Sequence, residues 1–143
     1  ASKLNCNAII TFDADGQHSF SVLPQYINQL KNGVDLVLGV RPKSQRIAES
    51  IFKIYVRLSG ANWSDPLCGM KGYSIELYQA QGYFDSLQSI GTELAAYGID
   101  NRYKYMEINI PISIRNDNPR FGSIVRSNIM ILKALLNLIK KRS

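Results

Sequence analysis

In this 143-residue chain, Asp13 and Asp15 are the side chains whose type and spacing speak most directly of chemistry. They close the run Ala8-Ile9-Ile10-Thr11-Phe12-Asp13-Ala14-Asp15-Gly16-Gln17-His18. Residues i and i+2 of an extended chain point the same way, so the two carboxylates leave the backbone side by side. A divalent cation relieves their repulsion, and carboxylate oxygens with Gln17 close by suit Mg²⁺ or Mn²⁺ better than zinc. Asp-x-Asp-Gly is also an ordinary turn, because Asp and Gly are favoured there. On these residues alone both readings stand. His18 reads as a loop residue.

The elements that must position this pair follow from pattern. Ala8 to Phe12 is a short, branched and aromatic run, which predicts a strand buried on both faces in a parallel sheet. Ligands of open α/β sheets bind just beyond the carboxyl ends of such strands. Ser21 as a cap, Pro24 in the first turn, and Leu23, Tyr26, Ile27 and Leu30 at helical spacing predict a helix that stops at Gly33. Val34 to Val40 is the next strand, and strand–helix–strand implies a right-handed parallel pair. Arg41 then leaves the same rim as Asp13 and Asp15, where a cation suits an anionic ligand. A helix over 47–59 would bury Ile47, Ile51, Ile54, Tyr55 and Leu58, with Arg46, Ser50, Lys53 and Arg57 on another face.

Residues 62–74 are irregular, with Gly69 and Gly72 able to let backbone approach a ligand closely. A short strand over 70–73 follows, with Ser74 capping a helix over 75–80. A further helix over 92–97 ends at Gly98. Glu93 lies in its first turn, where a carboxylate also favours the helix dipole. Residues 105–114 alternate, and Pro111 marks an edge strand. Arg115 to Ser123 is a polar loop. The tail over 127–140 is a helix with a wide apolar surface and a cationic stripe, able to lie on acidic lipid or to pack on the domain.

Composition bounds the rest. Hydrophobic residues make up 45% and charged ones 20%, which describes one globular domain. The formal net charge of +6 favours an anionic partner. Its basic residues are not gathered with aromatics on one sheet face, so nucleic acid is not expected. Cys6 and Cys68 lack metal-site spacing and give no disulfide framework, consistent with a reducing compartment. No apolar run is long enough to span a bilayer.

Five segments in order carry a resemblance: Asp13 to His18, Asp35 to Arg41, Asp65 to Tyr73, Glu107 to Pro111, and Arg120 to Ser123. Together they resemble the family-two glycosyltransferases of GT-A fold, closest to the dolichyl-phosphate mannose synthase-like branch. The resemblance implies an α/β fold, the C-terminal portion of a GT-A domain with a mostly parallel, Rossmann-like sheet over 1–125, followed by a basic amphipathic helix over 126–143. It assigns Asp13, Asp15 and Gln17 to the metal and the nucleotide-sugar diphosphate. Arg41, Arg46, Ser50 and Arg120 would grip the acceptor phosphate or donor diphosphate, with Arg115 and Ser123 in the same substrate-binding loop. Asp65 and Gly69 belong to the loop over the sugar, and Glu93 to an acidic position facing the active site. Asp15, Asp65 and Glu93 are the candidate catalytic residues.

The implied reaction is inverting, metal-dependent sugar transfer from a nucleotide-diphosphate sugar to a polyprenyl phosphate, dolichyl or undecaprenyl, in envelope glycan synthesis. The enzyme would sit on the cytoplasmic face of a membrane. Transfer to a glycan hydroxyl, or a non-catalytic binding or scaffold remnant, are the alternatives. The sequence departs from that branch where Ser123 is followed by Ile124 instead of Lys, with Arg126 a non-equivalent substitute. It also lacks the front strands that hold base and ribose in the family. The expectation is therefore a piece of a longer protein, or a chain completed by an oligomer.

Overall fold

The computed structural model describes residues 5–13, 19–42, 47–58, 63–84 and 91–111. Near the C terminus it describes 128, 129, 131–133, 135, 136 and 139. The elements are β1 (Ala8–Thr11), a 3-10 turn (Phe20–Val22), α1 (Leu23–Lys31), β2 (Leu36–Val40), α2 (Ile47–Leu58), β3 (Lys71–Ser74), α3 (Ile75–Gln81), α4 (Thr92–Asp100) and β4 (Tyr105–Asn109). Local chemistry sets most of these bounds. Ser19 caps the 3-10 turn by accepting from the Ser21 amide, and α1 follows with Pro24 in its first turn. Ser74 accepts from the Leu77 amide to start α3, and Gly82 closes it in the left-handed conformation. The last group of described residues is helical.

The four strands form one mixed sheet in the order β1-β3-β2-β4. β3 runs antiparallel to both β1 and β2, with Ile9 opposite Tyr73 and Leu36 also opposite Tyr73. β4 runs parallel to β2. β1, β2 and β4 therefore share a direction and end on the same rim. The expected parallel pair β1–β2 does not exist as neighbours, because β3 is inserted between them. Strands lie roughly 5 Å apart, so this insertion sets the ends of β1 and β2 about 10 Å apart. β1 is also not buried on both faces. It stands at one end of the described sheet and is half-buried along its length. β4 closes the other end, as Pro111 predicted.

Alternation along β2 makes two cores. Leu36 and Leu38 face Tyr73, Phe52, Val56, Leu77 and Leu94, which brings α2, α3 and α4 to one side of the sheet. Val37 faces the other side with Val22, Tyr26, Met70 and Ile108, under α1. Ile131, Leu135 and Ile139 pack on the first core, their i, i+4, i+8 spacing placing them on one helical stripe.

Two expectations about the helices change. α2 buries Glu49, Phe52 and Val56, while Ile51 and Ile54 face solvent. Of the expected stripe, Tyr55 packs on the first core, Ile51 and Ile54 turn to solvent, and the side chains of Ile47 and Leu58 lie outside the described residues. The buried face is set by Phe52 and Val56 in the core together with Glu49, which turns inward to the Arg41 guanidinium (3.4 Å). α4 runs through Gly98 to Asp100 instead of stopping. A Cβ at Gly98 would lie 3.1 Å from Leu77, so this glycine serves the close crossing of α3 and α4.

Candidate active site

The carboxyl ends of β1 and β2 deliver Asp13 and Arg41 to one rim, and the loop over 63–70 runs along that rim into β3. Four elements hold the loop. From β2, Arg41 donates to Asp65 three times: its backbone amide and Nε to Oδ2 (3.1 and 2.7 Å) and Nη2 to Oδ1 (2.9 Å). From β1, the Thr11 hydroxyl donates to the Gly69 carbonyl at 2.8 Å. From α4, the Thr92 hydroxyl donates to the Pro66 carbonyl at 3.0 Å. From β4, the Glu107 carboxylate accepts from the Ser64 amide (2.6 Å) and hydroxyl (2.7 Å). A loop fixed from four sides is preorganised, and preorganised groups act without paying ordering entropy when a ligand arrives.

Arg41 and Asp65 are a buried two-pronged pair, with side-chain exposures of 11% and 1%. Planar guanidinium geometry makes such pairs directional as well as strong. Lys53 adds a cation 4.0 Å from Asp65 Oδ1. Burial acts to lift the Asp65 carboxyl, but the Arg41 hydrogen bonds and charge outweigh it and hold the carboxyl below the usual range. Burial likewise acts to lower Arg41, and the Asp65 bonds with the Asp65 and Glu49 charges raise it above the ordinary arginine value. Arg41 was expected to grip a phosphate; its Nε and Nη2 are spent on Asp65 and Glu49. Asp65, expected near the chemistry, is an ionised anchor of the loop.

Gly69 and Asp13 meet directly. A Cβ on Gly69 would overlap the Asp13 carboxylate, so only glycine leaves that carboxylate its place. The first of the five sequence segments is thereby brought against the third. Asp13 is partly exposed, whereas Asp65, Glu49 and Glu93 are buried.

Behind this contact lies Lys71, which sequence reasoning passed over. It is 1% exposed, and its ammonium donates to the Cys68 carbonyl at 2.6 Å and to the Thr92 hydroxyl at 3.4 Å. It also stands 5.9 Å over the Trp63 ring. Burial pushes the ammonium down from the ordinary lysine value, partly offset by Cys68, Asp65, Asp13 and Glu93. Glu93 itself is buried in the first turn of α4. A lysine inside the run Met70-Lys71-Gly72-Tyr73 was the available signal, since a charged residue in a buried strand is rare unless paired. Glu49, Thr11 and Thr92 carried no such signal.

Of the remaining expected site residues, Ser50 is exposed on α2. Asp15, Gln17, Arg46, Arg115, Arg120 and Ser123 lie outside the described residues. Among the described residues, no cluster of three or more His, Cys, Asp or Glu forms a ready metal cage. Asp13 fits a hard divalent ion as an oxygen donor at the rim. Among the described residues no helix is long and apolar enough to cross a membrane.

No family model matches this chain, and no curated protein matches it by sequence. Its fold does match solved structures. The glucosyl-3-phosphoglycerate synthase of M. tuberculosis aligns with a TM-score of 0.61 and 17% identity, over 92% of this chain and 50% of that one. The same enzyme in complex with uridine diphosphate aligns at 0.58 and 16% identity, over 90% and 50%. Its complex with Mn²⁺ and UDP-glucose aligns at 0.55 and 18% identity, over 92% and 49%. The chain spans about half the length of these neighbours, and over that span it has the fold of a GT-A glycosyltransferase fragment.

Proposed function

We propose that this chain is the metal- and acceptor-side part of an inverting glycosyltransferase that moves a sugar from a nucleotide-diphosphate donor to a polyprenyl phosphate. The observation that carries the reading is the placement of the Asp13 carboxylate against Gly69, on the rim of a GT-A-type sheet whose loop is fixed by Arg41–Asp65. A neighbour of this fold was crystallised with Mn²⁺ and UDP-glucose, which supports the donor class.

Asp13, with Asp15 and Gln17, would hold Mg²⁺ or Mn²⁺. When bound, such an ion offsets the charge that grows on a diphosphate leaving group. The chain's own residues do the positioning. Arg41 holds Asp65, Asp65 holds the loop, and the loop backs Asp13. Arg46, Ser50, Arg115, Arg120 and Ser123 are assigned by the resemblance to phosphate contacts on donor and acceptor; of these Ser50 is described, exposed on α2. A lipid phosphate is already anionic near neutral pH, so transfer to it needs no general base. A site in which Asp65 is committed to Arg41 and Glu93 is buried suits that economy.

A second reading has a specific basis. A solved structure of similar fold is in complex with phosphoglyceric acid, a hydroxyl-bearing compound; transfer to a hydroxyl in this chain would need a base, and Glu93 is the candidate. Calorimetry of the intact chain with Mn²⁺ and UDP-glucose tests the proposal. Saturable Mn²⁺ binding that is lost in Asp13→Asn and in Asp15→Ala is expected; absence of such binding overturns it. Sugar transfer by the full-length protein then separates the acceptors. Transfer to polyprenyl phosphate that survives Glu93→Gln supports the lipid, and loss of transfer in a folded, metal-binding Glu93→Gln assigns a hydroxyl acceptor.

A further inference from the structure

The charge of this chain is segregated. The 11 acids all lie in residues 1–117, where 11 of the 17 Lys and Arg balance them. Residues 118–143 hold the other six basic residues and no acid, so the whole net charge of +6 belongs to this last segment. In the sequence, Arg126, Lys133 and Lys140 recur every seven residues, the spacing that repeats one helical position.

The same segment carries two apolar stripes with different fates. Ile131, Leu135 and Ile139 pack on the sheet core. Ile129, Leu132 and Leu136, at i, i+3 and i+7, are 48%, 39% and 62% exposed. Lys133 is exposed as well; on a helical wheel it flanks the open stripe on the side away from the packed one. An exposed apolar stripe flanked by Lys133, in a segment whose charges are all positive, is complementary to the anionic headgroup–acyl boundary of a bilayer. A protein partner would need no such one-signed border.

We infer that the open stripe Ile129–Leu132–Leu136 is a monotopic docking face that seats the chain on anionic lipid, its second stripe holding the helix to the domain. This goes beyond the transfer reaction and does not depend on which acceptor is used.

The test is co-sedimentation of the intact chain with vesicles of phosphatidylcholine alone and of phosphatidylcholine with phosphatidylglycerol, both without polyprenyl phosphate. Binding to the anionic vesicles only, weakened by salt, is expected. Leu132→Ser with Leu136→Ser, and separately Lys133→Glu, are each expected to lower partitioning by about tenfold. Circular dichroism and the thermal midpoint should stay unchanged, because these side chains are exposed. Equal partitioning of parent and variants, or no binding to either vesicle, overturns the inference. So does a concentration-dependent dimer in light scattering that the double serine variant dissolves, which would give the stripe to a second copy of this chain. The vesicles contain neither donor nor acceptor, so failure here leaves the transferase reading untouched, and failure of Mn²⁺ binding leaves this result untouched.

Discussion

Arg41 and Asp65, 24 residues apart, are joined by three hydrogen bonds, one from backbone and two from the guanidinium. This pair converts the end of β2 into the anchor of the loop over 63–70. Removing one partner of a buried ion pair leaves the other charge uncompensated and costs about 3 kcal/mol or more. Asp65→Asn is therefore expected to lower stability by that order in chemical denaturation. A loss below about 1 kcal/mol, the range of exposed pairs, would show that the pair adds little.

The same pair fixes the acid limb of stability. Asp65 is held below its ordinary value of 3.8, so the unfolded chain takes up the proton first as pH falls. Its contribution is complete above the ordinary value and drains as pH drops toward the depressed folded one. Thermal midpoints measured from pH 7 downward should fall steeply below about pH 4 in the parent. Asp65→Asn should flatten that limb. Parallel curves would mean that other carboxylates govern it.

Gly69→Ala tests the contact between the motifs. The added methyl overlaps the Asp13 carboxylate, the mobile end of a side chain, so the fold yields by moving Asp13. Displacing a side chain from its rotamer costs about 1 kcal/mol. The expected result is a small stability change with Mn²⁺ affinity reduced by at least tenfold, a difference of about 1.4 kcal/mol. Unchanged Mn²⁺ affinity in calorimetry would uncouple Gly69 from the metal position.

Lys71→Met keeps an unbranched side chain of nearly the same length and removes its charge. The Cys68 carbonyl and Thr92 hydroxyl lose a donor, and Asp13, Asp65 and Glu93 lose a neighbouring cation. A loss of about 3 kcal/mol is expected in denaturant titration. A variant as stable as the parent would mean that burying the ammonium costs as much as its partners return.

Glu107→Gln weakens the tie between β4 and Ser64. The bonds are charge-assisted but exposed, so the stability change should stay near 1 kcal/mol. Amide exchange at Ser64 should nevertheless speed up, because its acceptor is poorer. Unaltered exchange would place the hold on the loop elsewhere.

Local chemistry made several elements legible. The Ser74 cap and the Pro24 start predicted α3 and α1 to within a residue or two, since caps and φ restrictions act over a single turn. The direction of β1 relative to β2 was legible too, through the handedness of the crossover. Their separation by β3 was not, because strand order is decided by pairings across 60 residues that leave no local pattern. The buried face of α2 was hidden for a related reason: Glu49, Phe52 and Val56 find their partners in other elements, Arg41 among them. In the site, Asp13 and Gly69 could be named from spacing, but their contact could not. Arg41 was found as a cation at the rim, and only the fold shows that its charge is turned to Asp65.

Each anchor of the loop reaches across a long stretch of chain. Thr11 and Gly69 are 58 residues apart, Ser64 and Glu107 are 43 apart, and β2 pairs with β4 through Leu36 and Tyr105. Contacts of this sequence separation are costly to close and slow the folding search. The loop consequently has no nearby scaffold on which to take shape early; it gains its conformation when the sheet assembles around it. Order in this region should return on refolding together with the sheet signal, as one late event rather than as a separate step.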